Sequence, residues 1–342
     1  MSPPNPHEAS YGSDAHGLVW AYAFLPGARA TRIDLAAIPQ WADLCGDAPD
    51  APFYWLHFAW ANVASETWMR EHLRLPTAFY DTARHGAAST RLEQEGDALL
   101  AVLHDILFDF SFDSSAVSTV HLCILPRLLV SARVKPLRSI DRLRHAVERG
   151  ARFRSPTDLL VHLLLEQASA LVDIARQSSS RVDGIEDTLL ANRLAVSRSE
   201  LGSLRRILVR LQRLLAPEPA ALFRLLNRPP AWVAERDIAE LRQAAEEFSA
   251  ATADAAALVE RVKLLQEEVA ARLSEQTNRN LFVLTIVTVM ALPISLVGGL
   301  FGMNVKGIPL SESEHGFAII IALLIVVTLL LARFAFSRSR DR

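Results

Sequence analysis

The sequence predicts an α/β domain, then long helices and a stalk, then two C-terminal helices that span a membrane. Three observations predict it. Residues 18–134 alternate short aromatic-rich runs with short amphipathic stretches. From Ser155 onward, long stretches without proline carry apolar residues at three- and four-residue intervals. No charged residue falls between Arg279 and Lys306, nor between His315 and Arg333.

Taken in order, residues 1–17, "MSPPNPHEASYGSDAHG", have neither a basic n-region nor an apolar h-region, so a disordered tail is expected rather than a signal peptide. "LVWAYAF" and "FYWLHFAW", bounded by Pro and Gly, read as strands. "SETWMREHLRL" and "PTAFYDTARHG" read as short helices. In "ALLAVLHDILFDFSF" the residues Phe108, Phe110 and Phe112 alternate with Asp109, Ser111 and Asp113, a strand pattern with one polar face. "STVHLCILPRLLVSARV" adds one or two buried strands, so residues 18–154 are expected to form a mixed sheet with helices against it.

Residues 155–233 change character. Ser155 as N-cap, Pro156 at the first helical position and Asp158 in the first turn mark a helix start. Two long helices are expected, with a break near "RLAVSRSELG", and then a connector, "PEPAALFRLLNRPPAW", whose prolines break the helix. Residues 234–279 are expected to be a stalk helix that continues into the membrane. Its apolar residues Leu258, Val262, Leu265, Val269 and Leu273 form a seam that asks for partner helices. A coiled coil between copies and packing on its own domain both satisfy the seam; continuity with the apolar segment favours the coiled coil.

The first charge-free run is ample for a hydrocarbon core of about 30 Å, and the second is near the lower limit of about 17 residues. The expected layout is a span over 280–303, an outer loop over 304–315, a second span over 316–334 and a basic tail over 335–342. Arg272 and Arg279 precede the first span, and Arg333, Arg338, Arg340 and Arg342 follow the second, whereas the loop sets Lys306 against Glu312 and Glu314. The positive-inside rule then puts both termini in the cytoplasm, in a multi-pass protein of the cytoplasmic membrane.

Two helices cannot enclose a pore, so conduction would require several subunits. The first span is the better lining, because Asn278, Leu281, Leu284, Thr288, Leu292, Ser295, Gly299 and Gly302 recur at steps of three or four. Thr285 sits beside this stripe, and Thr and Ser hydroxyls in a helix are often satisfied by their own backbone. Gly302 and Asn304 also suit a helix end, as residues tolerant of left-handed backbone. Asn304 offers a neutral carboxamide oxygen; repeated around a mouth, such oxygens would receive a divalent ion with its water shell. Glu312 and Glu314 are candidates for weak cation attraction in the loop, with ordinary solvated carboxylates as the alternative.

Composition narrows the rest. With 36 basic and 38 acidic residues, net charge recommends no nucleic-acid partner. Two cysteines, Cys45 and Cys123, make neither a disulfide framework nor a zinc site, and buried thiols in a reducing compartment are expected. The ten histidines form no close helical pair, so no resident metal site can be named. Phosphate loops, nucleophile motifs and hydrolase spacings are absent from the sequence, which argues against an enzyme and calls for no cofactor.

"PISLVGGLFGMNVKGIP" followed by "GFAIIIALLIVVTLLLARF" resembles the C-terminal signature of the CorA metal-ion transporters, and the likeness in layout covers most of the chain. "GLVWAYAFLPG", "FYWLHFAW" and "NVKGIPL" resemble its zinc-transporting ZntB branch. The resemblance implies a homopentamer in a lipid bilayer whose first span lines a central pore, with Gly302, Met303 and Asn304 as the selectivity motif at its outer mouth. It further implies transport of Zn²⁺, with uptake coupled to protons. The alternatives are a Mg²⁺, Co²⁺ or Ni²⁺ channel of the same build, or a membrane-anchored coiled-coil scaffold.

Overall fold

The computed structural model describes residues 12–25, 28–44, 51–86, 90–107, 117–191, 198–303 and 315–340. The chain divides into two compact units, Met1–Gln266 and Glu267–Arg342. The first holds a seven-stranded sheet in the order β2-β1-β3-β7-β6-β5-β4. Its strands are β1 Leu18–Phe24, β2 Thr31–Ile33, β3 Phe53–Ala59, β4 Arg91–Glu95, β5 Ala98–Ile106, β6 Val117–Leu125 and β7 Leu128–Arg133. All neighbours run antiparallel except β3 and β7, which are parallel. The helices are α1 Trp41–Leu44, α2 Val63–His72, α3 Thr77–His85, α4 Arg138–Glu148, α5 Pro156–Leu190, α6 Arg198–Leu215, α7 Pro217–Asn227, α8 Glu235–Phe301 and α9 Gly316–Arg340.

Helices cover both faces of the sheet, which explains why β1 and β3 read as continuous apolar runs. On one face Tyr54, Leu56, Phe58, Val130 and Ala132 pack with Trp68 and Met69 of α2 and with Phe79 and Tyr80 of α3. On the other, Phe53, Trp55, Leu103 and Leu122 pack with residues of α4, α5, α7 and α8. A third cluster joins α5, α6 and α8 through Leu171, Ile174, Ile207, Leu211, Phe248 and Ala251.

Several expectations meet corrections. Residues 12–17 are ordered: the Asp14 carboxylate accepts from His16 N at 2.9 Å and Leu18 N at 2.8 Å. Gly17 follows with φ 81°, where an added Cβ would lie 1.8 Å from Ser65 Oγ, so only glycine fits. The proline-rich connector contains a helix, α7, with Pro217 in its first turn, where a missing N–H costs nothing. The Leu258–Leu273 seam is largely covered within one chain: Leu258, Val262, Leu265 and Val269 are buried and only Leu273 is exposed. Beside it, Arg261 of α8 binds Glu186 at 2.9 Å and Asp183 at 2.6 Å on α5. Its covered residues therefore offer no free stripe to a second copy. α9 stays helical to Arg340, into the segment read as a tail.

Other expectations hold. Ser155 caps α5 by accepting from Asp158 N at 3.0 Å, with Pro156 following it. Cys123 is buried and free. The Phe108–Asp113 alternation and Cys45 lie outside the described residues.

Within the sheet core, Trp55, His57 and Ser131 form a closed polar network. Arg133 Nε donates to His57 Nε2 at 2.8 Å, and a guanidinium can only donate, so the ring proton sits on Nδ1. That Nδ1 lies 2.7 Å from Ser131 Oγ, which also accepts from Trp55 Nε1 at 2.8 Å and donates to Leu56 O at 3.3 Å. Burial, then the charges of Arg133 and Arg144, keep His57 neutral. Ser131→Ala strands two buried donors, each costing about 1–3 kcal/mol. A clearly lowered melting temperature of the detergent-solubilised protein is expected; an unchanged one would show that the network adds nothing.

Candidate ion pathway

α8 passes through Pro293 and ends at Phe301. By length and composition it is the one described helix that can cross a membrane; its most apolar 18-residue window has mean hydropathy 2.4 and is 0% buried. A core helix of a soluble domain would be covered, so this surface waits for lipid or for other chains. The apolar helix Gly316–Leu331, within α9, is shorter.

At about 100° per residue, Asn278, Leu281, Leu284, Thr288, Leu292, Ser295 and Gly299 fall within an arc of about 120° and extend along about 32 Å of axis. All seven are exposed in the single chain. The half-buried positions of the same segment are Ile286, Met290, Pro293 and Val297. They lie roughly opposite the first stripe on the same wheel. In α9 the half-buried positions are Ile320, Leu324, Thr328 and Leu331, at the same spacing. α9 is the other described element of this unit, and its half-buried positions repeat the spacing of those on α8. The polar and small stripe is the face left over.

Local chemistry on that face is mild. Thr285 Oγ1 donates to Leu281 O at 2.8 Å and Thr288 Oγ1 to Leu284 O at 2.9 Å, so both hydroxyls are satisfied by their own helix. Each keeps a lone pair for water. Gly302 N donates to Gly298 O at 3.0 Å. Gly302 is not among the residues with positive φ, which corrects the left-handed helix end expected there. Its glycine is instead a matter of space, since an added Cβ would sit 3.1 Å from Gly298 O. Met303 is 52% exposed, so neither motif residue described is claimed by the chain's own packing. Asn304, Glu312 and Glu314 lie outside the described residues.

Among the described residues no group of three or more His, Cys, Asp or Glu side chains can hold a metal ion. The sequence reading passed over the buried ionisable groups of the first unit. Asp105 accepts from Ser139 N at 2.9 Å, Ser139 Oγ at 2.8 Å and Ile106 N at 2.7 Å. Even so, burial pushes its carboxyl up to about 6. Glu218, in the first turn of α7, is 0% exposed and burial holds its carboxyl well above the usual range. His121 is pushed down to about 4 by burial and then by His104. A single sequence marks none of them, because burial depends on which helices cross above the sheet.

The chain matches the family model described as CorA-like Mg²⁺ transporter protein over residues 50–338. Zinc transport protein ZntB of Yersinia pseudotuberculosis is 24% identical over 318 residues, covering 92% of this chain and 93% of its own. Divalent cation transporter CmaX of Pseudomonas aeruginosa is 26% identical over 319 residues, covering 91% and 92%. Among solved structures, full-length CmaX superimposes with TM-score 0.79 at 23% identity, covering 95% of this chain and 99% of its own. The CorA magnesium transporter from Methanocaldococcus jannaschii follows with TM-score 0.71 at 18% identity, covering 92% and 96%. At these identities the structural likeness establishes the fold.

Proposed function

Because the chain belongs to the CorA-like Mg²⁺ transporter family and so is a divalent-cation transporter, we propose that the ion it carries is Zn²⁺, taken up with the help of a proton gradient. The pathway is a central pore lined by the exposed stripe of α8, with several copies, five by family resemblance, each giving one helix. Gly302, Met303 and Asn304 stand at its outer mouth, and both termini lie in the cytoplasm. What carries the pore reading is the position of the Asn278–Gly299 stripe on the face of α8 away from its half-covered one. The zinc reading draws support from relatives named as zinc transport proteins. Uncharged linings suit an ion that moves with its water, since a ring of carboxylates would hold a divalent cation too tightly to release it.

Mg²⁺ is the second reading, favoured by the family description and by the absence, among the described residues, of a His, Cys, Asp or Glu group that could hold a metal ion. Flux of Zn²⁺ and Mg²⁺ into vesicles holding only this protein, with and without an inward proton gradient, separates them. Zn²⁺ entry accelerated by the gradient is expected. Mg²⁺ entry without Zn²⁺ entry would replace zinc by magnesium, and no flux of any divalent cation would remove the pore.

Topology has its own test. A reporter fused after Arg342 should be active only in its cytoplasmic form; a periplasmic signal would invert the assignment.

A further inference from the structure

The first unit holds a pair of buried carboxyls, Glu218 and Asp105, that no cation among the described residues pairs with. Glu218 Oε1 accepts from His104 N at 3.1 Å and Thr90 Oγ1 at 3.4 Å, while Oε2 is buried without a partner. Thr90 Oγ1 also lies 3.3 Å from His104 Nδ1, and the charge of Asp105 on β5 adds to the cost of a charge on Glu218. On α5, Gln167 Nε2 donates to His104 O at 3.0 Å, and its Oε1 is buried without a partner. Arg91 and Glu93 of β4, Arg224 of α7 and Arg228 just after it line the cleft beside Thr90. No Lys or Arg among the described residues pairs with Glu218 or Asp105. The N-terminus of α7 favours a charge on Glu218, but that field falls off within a turn and is smaller than the cost of complete burial.

We propose that Glu218 is a proton-binding site, and that release of its proton loosens α7 from the sheet just ahead of α8. The inference does not depend on which cation is transported. Only the short segment 228–234 separates α7 from α8, so the seating of α7 sets where α8 begins.

Sign and size follow from linkage. In the closed state Glu218 keeps its proton beyond the pH at which an exposed glutamate loses it, so the open state gains as pH rises. The opening constant of α7 climbs by up to tenfold per pH unit until the raised titration is passed, then levels. Asp105 is half titrated near pH 6, so its own contribution fades over roughly the next pH unit and the rise beyond it belongs to Glu218.

The test is amide hydrogen exchange of residues 217–227 in the full-length protein in nanodiscs, corrected for intrinsic rates, between pH 6.5 and 8.5. Opening should rise with pH in the wild type and stay flat in Glu218→Gln, which keeps the shape and removes the proton. A flat wild type, or a variant that follows the wild type, overturns the proposal. Infrared spectra of wild-type protein with ¹³C-labelled glutamate decide the matter without any variant. A protonated-carboxyl band should be present at pH 6.5 and fade in step with opening; its absence at pH 6.5 overturns the proposal.

Discussion

Asn304→Ala is expected to lower divalent-cation flux by on the order of a hundredfold or more while leaving assembly intact. A carboxamide oxygen bonded to an ion's water shell contributes roughly 1 kcal/mol, and a ring loses that from every subunit at once. Flux into vesicles, read beside native mass in mild detergent, checks it. Normal flux in a well-assembled variant would reduce the residue to a helix cap. Gly302→Ala is the companion, and its effect should be smaller. The added methyl crowds Gly298 O at 3.1 Å, but the backbone there does not need a left-handed residue.

Leu284→Asn should produce a leak. Leu281, Leu284 and Leu292 are 55%, 62% and 63% exposed in the single chain, so none is anchored by the chain's own packing. Rings of such side chains make a constriction that sheds water and stops ions until the helices move apart. A polar ring would hold water, so background flux should rise severalfold and discrimination between Zn²⁺ and monovalent cations should fall. If these leucines only pack neighbouring copies together, the variant should lose assembly and flux with no leak, and gating would have to be sought elsewhere.

How much of this could be read from sequence depended on where the physical signal was local. β1 and β3 announced themselves because aromatic and β-branched residues bounded by Pro and Gly have few other homes. Ser155–Pro156 announced α5 because a cap bond closes within three residues. α7 was misread because prolines were taken as breakers, although the first turn tolerates them. α4 gave no cap to read: Leu137 precedes it and makes no side-chain bond. The seam from Leu258 showed that a partner was needed but not whose; Leu258, Val262 and Leu265 are buried within the single chain, beside bonds that tie Arg261 to α5 and Gln266 to α6. In the pathway, the period of helical side chains placed Asn278 through Gly299 on one face, whereas its position away from the half-covered face required the pattern of burial. Glu218 and Asp105 stayed invisible, since nothing in their neighbours along the chain foretells complete burial.

The lone parallel pairing among the described strands also sets a timetable. Tyr54 of β3 waits for Leu128 of β7, about seventy residues later. At about 5–20 residues per second, a ribosome leaves that aromatic edge bare for roughly 4–15 s. Until β7 arrives, α2 and α3 can cover one face of β3, but its free edge and the face later covered by α4, α5, α7 and α8 are open to other nascent chains. A holding chaperone is therefore expected to engage the nascent protein in this interval and to let go once β7 has zipped in. Shortening the wait with a circular permutant that begins near β7 should weaken that engagement without altering the finished sheet.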